Sequence, residues 1–181
     1  MSGNSDHTLE RVEPKRITIP GDGSLCMSIE TSAGRIVVRL HETKVPRTVM
    51  NYLGLLTGAV TGTPYYDGQP VQRVVPNYLV AFGAPGVESE DSLHYATHEE
   101  AAEGQTHDRP GLLTQHYMSR DAAGAEVSMT VSAAPWLDRN HTIFGEIIEG
   151  MELLTTLSNA PATNQRPNPP VLIEKVTAFR Q

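Results

Sequence analysis

Cysteine is almost missing from this chain: Cys26 stands alone among 181 residues. One thiol excludes an internal disulfide and a zinc site built from several thiolates, and at a strand start it reads as a small buried apolar residue. Basic charge is scarce as well. Fourteen Lys and Arg against 21 Asp and Glu leave a net charge of -7, so the footprint of a duplex-binding or membrane-surface protein is lacking and no nucleic-acid partner is expected. No apolar run approaches the length of a membrane span, so no membrane insertion is expected. Residues 1–7 show no basic stretch followed by an apolar one, so no secretory signal is visible and a cytoplasmic setting is the expectation. What the chain does have is 39% hydrophobic composition, enough for one domain with a real core.

Residues 1–23 are polar, carry Pro14 and Pro20 and hold no sustained period, which reads as a flexible extension in which Ile17 and Ile19 could add a short strand. Alternation begins at Leu25. The turn Ser32-Ala33-Gly34 separates two alternating runs, the pattern of a hairpin. From Lys44 to Gly58 the period changes: Val45, Val49, Tyr52, Leu53 and Leu56 recur at three and four, Pro46 suits a first helical turn, and Gly58 is a left-handed stop. Further strands are predicted over 111–114, 127–131, 142–148 and 171–179, with a second short helix over 149–159. Many short strands with two helices predict a mainly β domain over 24–181: a closed antiparallel barrel capped by the helices, since closure removes exposed edges.

The stretch 66–83 carries the first candidate for chemistry. A turn at Asp67-Gly68 feeds an apolar run holding one guanidinium, Arg73, and a turn at Pro76-Asn77 feeds another apolar run. An arginine cannot deprotonate and must find acceptors or water. A single charge amid so much apolar sequence marks a site.

The helix Val45-Pro46-Arg47-Thr48-Val49-Met50-Asn51-Tyr52-Leu53, the strand Arg73-Val74-Val75-Pro76-Asn77-Tyr78-Leu79 and the segment from Pro135-Trp136-Leu137-Asp138-Arg139-Asn140-His141 to Met151 resemble, in this order, the cyclophilin family of peptidyl-prolyl cis-trans isomerases. The resemblance covers roughly 24–180. It implies an eight-stranded antiparallel barrel with a helix over each end and an activity that needs no metal and no cofactor. A prolyl amide resists rotation by about 20 kcal/mol, and a catalyst must favour the twisted amide. In this family an arginine does so by hydrogen bonding while an apolar pocket grips the ring, which is electrostatic and positional work.

By resemblance, Arg73 is the catalytic arginine, and Tyr78, Leu79, Trp136, Leu137 and His141 surround the proline ring. Phe144 falls on a core position. Elsewhere the pattern departs: the glutamine that orients substrate is replaced by Ala81, and a phenylalanine wall of the ring pocket by Ser128. Glu126 brings an anion that could pair with Arg73, and Tyr117 is bulkier than the asparagine it replaces. These residues complete the candidate substrate site. The implied function is a weak or narrow prolyl isomerase whose partners are proline-containing segments. The alternative is a degenerate module that binds such a segment or serves as a subunit of a larger assembly. His94, His98, Glu99, Glu100 and His107 form a separate constellation with metal-ligand residue types; its bland reading, a hydrated acidic loop, is favoured.

Overall fold

The computed structural model describes residues 10–84, 95–96, 100–116 and 124–181. The main strands are β1 (Leu25–Thr31), β2 (Gly34–Leu40), β3 (Arg73–Val75), β4 (Leu79–Phe82), β5 (Leu112–His116), β6 (Val127–Thr130), β7 (His141–Glu149) and β8 (Ile173–Arg180). Helix α1 spans Pro46–Leu56 and α2 spans Met151–Ser158. The eight strands form one antiparallel sheet in the order β8-β1-β2-β7-β5-β6-β4-β3.

The closed barrel expected from the sequence is corrected here: the sheet curls but stays open, with β8 and β3 as edges. A lone bridge between Pro70 and Leu172 spans the seam, flanked by backbone bonds from Gly68 N–H to Ile173 O (2.7 Å) and Val71 N–H to Val171 O (2.8 Å). Proline has no N–H to extend a ladder at Pro70. The outer edge of β3 is instead covered by a loop, whose Gln165 carbonyl accepts from Val74 N–H at 2.7 Å. A covered edge offers no template for further pairing.

Alternation sorts the strands into two faces. Val74, Val80, Phe82, Leu113, Val127 and Met129 point into the core with the apolar face of α1. Tyr52 of that helix stacks on Phe144 of β7 at 4.1 Å and 9°, so Phe144 is packing, as its position implied. Residues Arg73, Ala81, Ser128 and Thr114 lie on the other face.

Helix α1 starts without help from its own sequence. Its N-cap is Val45, which has no side-chain acceptor, and the first N–H groups of a helix need one. Glu100 supplies it from 52 residues away: its carboxylate accepts from Thr48 N–H at 2.8 Å and Thr48 Oγ1 at 3.0 Å, and from Arg47 N–H at 3.3 Å. The acidic segment is therefore tied to the domain at this point. Ile17 and Ile19 also pack on the core, although the short strand formed near the N-terminus is Glu10–Arg11, paired in parallel with Tyr95–Ala96.

Candidate active site

The outer face of the sheet is organised by register. Arg73 pairs with Ala81, Ala81 with Ser128, and Ser128 with Thr114, so four residues from β3, β4, β6 and β5 form one cross-strand row. Directly opposed residues share a face of the sheet. A second row places Leu79 beside Thr130. Apart from Ala81, the residues of these two rows line an open cavity of about 250 Å³ together with Tyr78, Glu126, Leu137 and His141. The register of β5 on β7 shifts between Leu113 and Thr114, and such bulges re-aim side chains next to sites.

Arg73 is exposed. Among the described residues no ion pair joins it to Glu126, so the pairing expected from the sequence is not formed and the guanidinium stays available. The Glu126 carboxylate instead accepts from Ser128 Oγ at 3.1 Å. Backbone anchoring explains the placement of Glu126. Asn51 Nδ2 donates to Gly124 O at 2.6 Å, Tyr66 Oη to Ala125 O at 2.7 Å, and Tyr52 Oη to Glu126 O.

Ala81 and Ser128 are both buried, yet neither projects far from its strand. The centre of the row is therefore shallow, with a long cation at one end and a threonine at the other. Tyr78 follows Asn77, whose φ of 55° closes the β3–β4 turn; asparagine tolerates that left-handed conformation. The Tyr78 ring lies 5.5 Å from that of Trp136, whose Nε1–H donates to Tyr78 Oη at 3.0 Å. Trp136 is 61% exposed and stands at the rim, outside the cavity lining. Leu137, one residue on, is 8% exposed and lines it. His141 Nδ1 lies 2.7 Å from Asn140 Oδ1. Tyr117 lies outside the described residues.

Sequence reasoning passed over Thr114 and Thr130 as pocket residues. Their outward alternation with Leu113 and Met129 was a usable signal, but their meeting across β5 and β6 depends on register. His107 was also misread. It is 1% exposed and spends both ring nitrogens, Nδ1 on Asp138 Oδ1 at 2.6 Å and Nε2 on Thr114 Oγ1 at 2.8 Å. With Glu100 capping α1, two members of the metal constellation are engaged elsewhere; His94, His98 and Glu99 lie outside the described residues. Burial pushes the Asp138 carboxyl up, but the backbone N–H and imidazole of His107 outweigh it and hold the group below the usual carboxylate range.

A family model described as cyclophilin type peptidyl-prolyl cis-trans isomerase/CLD matches residues 26–178. The chain is 30% identical over 163 residues to peptidyl-prolyl cis-trans isomerase A of Mycobacterium tuberculosis, covering 83% of this chain and 90% of that one. It is 28% identical to the mouse peptidylprolyl isomerase domain and WD repeat-containing protein 1 over 86% of this chain and 23% of that protein. Among solved structures, a Cryptosporidium parvum cyclophilin type isomerase superposes with a TM-score of 0.74 at 22% identity, covering 87% of this chain and 99% of that one. The same protein crystallised in the presence of the dipeptide Ala-Pro gives 0.73.

Proposed function

Because this chain belongs to the cyclophilin-type peptidyl-prolyl cis-trans isomerase family, we propose that it isomerises Xaa-Pro bonds on the outer face of its sheet, with Arg73 as the electrostatic catalyst. One observation carries this reading: a guanidinium with no ion pair among the described residues, at the end of a four-strand row, opens onto a cavity with Leu79, Leu137 and His141 in its lining. Proline-containing segments are the substrate class, consistent with the crystal structure of the Cryptosporidium protein in the presence of the dipeptide Ala-Pro.

The chemistry asks little of the protein. As the amide twists, resonance is lost, the nitrogen becomes pyramidal and regains its lone pair, and the C–N bond becomes single. Arg73 donates hydrogen bonds to the twisted amide, Leu79 and Leu137 hold the ring, and Tyr78 and Trp136 border the chain that passes the rim. No covalent intermediate forms. Catalysis rests on binding the twisted amide more tightly than either planar isomer. The small residues Ala81 and Ser128 remove an orienting amide and an aromatic wall, worth about 1.5 to 3 kcal/mol of apolar contact. A modest rate or a narrow substrate range follows, since each 1.4 kcal/mol is about tenfold.

The shallow centre of the row also supports a second reading, a module that binds proline-containing segments with little turnover or docks into a larger assembly. The domain is taken as 24–181, with 1–23 an N-terminal extension of which Ile17 and Ile19 pack on the core. An NMR exchange assay on a panel of Xaa-Pro peptides separates the two readings. Cis-trans exchange accelerated by the wild type and lost in Arg73→Ala supports the enzyme; folded wild type that binds peptides without accelerating exchange supports the module.

A further inference from the structure

The segment around His107 was expected to be loop, yet its imidazole is among the most enclosed polar groups of the chain, at 1% exposure. Its bonds converge on one short element. The turn Pro135–Leu137, a single 3-10 turn, carries Trp136 and Leu137. At the entrance of that turn Ala134 N–H donates to His107 O at 2.8 Å. At its exit Asp138 Oδ1 accepts both His107 N–H at 2.7 Å and His107 Nδ1 at 2.6 Å. One residue thus fastens both ends of the element that forms the rim and one side of the cavity.

The remaining ring nitrogen reaches the floor. Asp138 is an anion, so Nδ1 must carry the hydrogen it donates, and in the neutral ring Nε2 is then a bare acceptor. Thr114 Oγ1, 2.8 Å away, gives its single hydrogen to it; the alternative acceptor, Thr142 O, is 3.3 Å off. In either arrangement the hydroxyl hydrogen is spent inside the protein. The hydroxyl of Thr114 therefore has no hydrogen to offer the cavity, and no floor donor there competes with Arg73 for a prolyl carbonyl. The His107 ring also stands edge-on to His141, 6.2 Å between centroids at 86°.

We propose that His107 is a positioning residue that sets the width and polarity of the ring pocket, holding Leu137 through Asp138 and Ala134 and turning the Thr114 hydroxyl inward. This rests on the reading of the cavity as the proline site. Because the ring is held alike in the planar and twisted amide, loosening the clamp weakens uniform binding and appears in KM more than in kcat.

The test uses the full chain with Asp138→Ala, Thr114→Val and Thr114→Ser. Trp136 is the only tryptophan, so its emission and its quenching by acrylamide report on the clamped turn directly. Asp138→Ala is expected to raise KM for an Xaa-Pro peptide roughly tenfold with a smaller change in kcat, from the loss of charge-assisted bonds, and to increase quenching of Trp136. Thr114→Val should raise KM a few-fold, and Thr114→Ser, which keeps the hydroxyl, should restore it. Variants that melt at lower temperature while KM and Trp136 quenching stay at wild-type values overturn the proposal, leaving His107 a packing residue. Should Asp138→Ala not fold, the Thr114 pair decides by the same criterion. A wild type without isomerase activity refutes the catalytic reading instead, and the clamp is then judged on Trp136 quenching alone.

Discussion

The two walls of the cavity are built on opposite plans. The wall formed by 107, 134–138 and 141 is over-determined: His107 makes bonds from its carbonyl, its N–H and both ring nitrogens, and Trp136 is tied to Tyr78. The wall formed by β3, β4 and β6 carries the proposed catalyst with little side-chain bonding among the described residues: Arg73 has no ion pair there and stands beside small Ala81 and Ser128. A rigid wall fixes where a ring sits, whereas a sparse one leaves the amide and its flanking residues room to turn. The difference teaches that shape and charge are assigned to different strands, and that substitutions on the sparse wall should change rate with little loss of fold.

The sharpest way to break the comparison is Arg73→Lys, which keeps the charge and loses the planar fork. A loss of roughly tenfold to a hundredfold in kcat/KM with an unchanged melting temperature is expected, read by NMR exchange; a Lys variant as fast as wild type would reduce the role of Arg73 to a point charge. Next in size is a gain. Ser128→Phe adds an aromatic face to the sparse wall, and kcat/KM is expected to rise about tenfold if the ring packs in the cavity. A fall would mean that the shallow centre is needed by a bulkier substrate.

Two smaller effects concern stability. Glu100→Ala removes the remote cap of α1 and should cost about 1 kcal/mol, a melting shift of roughly 2 to 4 °C in thermal unfolding, with kcat/KM unchanged. The smallest is a pH effect on the rigid wall. A carboxylate whose folded pKa is depressed stabilises the fold above its unfolded value, about 3.9 for Asp, and that stability is lost as pH falls through the folded value. The stability gap between wild type and Asp138→Asn should therefore be level from pH 7 to about 5 and shrink as pH drops below about 4. Paired urea titrations measure it; a gap that grows in acid would reverse the assigned sign.

The periods of the sequence announced most of this fold. Helices α1 and α2, the β1–β2 hairpin and strands β5, β6, β7 and β8 fall within two residues of their predicted positions, because each has an apolar spacing that burial enforces. Whether the sheet closes was not legible, since it depends on how Pro70 meets Leu172 across the whole chain. Arg73, Leu79, Leu137 and His141 were recognisable by motif. Thr114 and Thr130 were not, because strand register brings them together. Glu100 and His107 do lie in loop, as expected, but not in a hydrated one: nothing local says that Glu100 will find a helix whose own cap, Val45, has no side-chain oxygen to offer. That absent oxygen was itself a signal for a distant acceptor.

The place of β8 in the sheet has a consequence for synthesis. Strand β1 pairs with β2 on one side and β8 on the other, yet β8 begins only at Ile173. At roughly 5 to 20 residues per second, β1 leaves the ribosome many seconds before its second neighbour exists. During that interval one row of its N–H and C=O groups is open to any other strand in the vicinity. Ser24 and Gln181 then exchange a pair of backbone bonds at 2.7 and 3.1 Å, which extends the β8 seal on the edge of β1 one residue beyond the pair of Leu25 with Arg180.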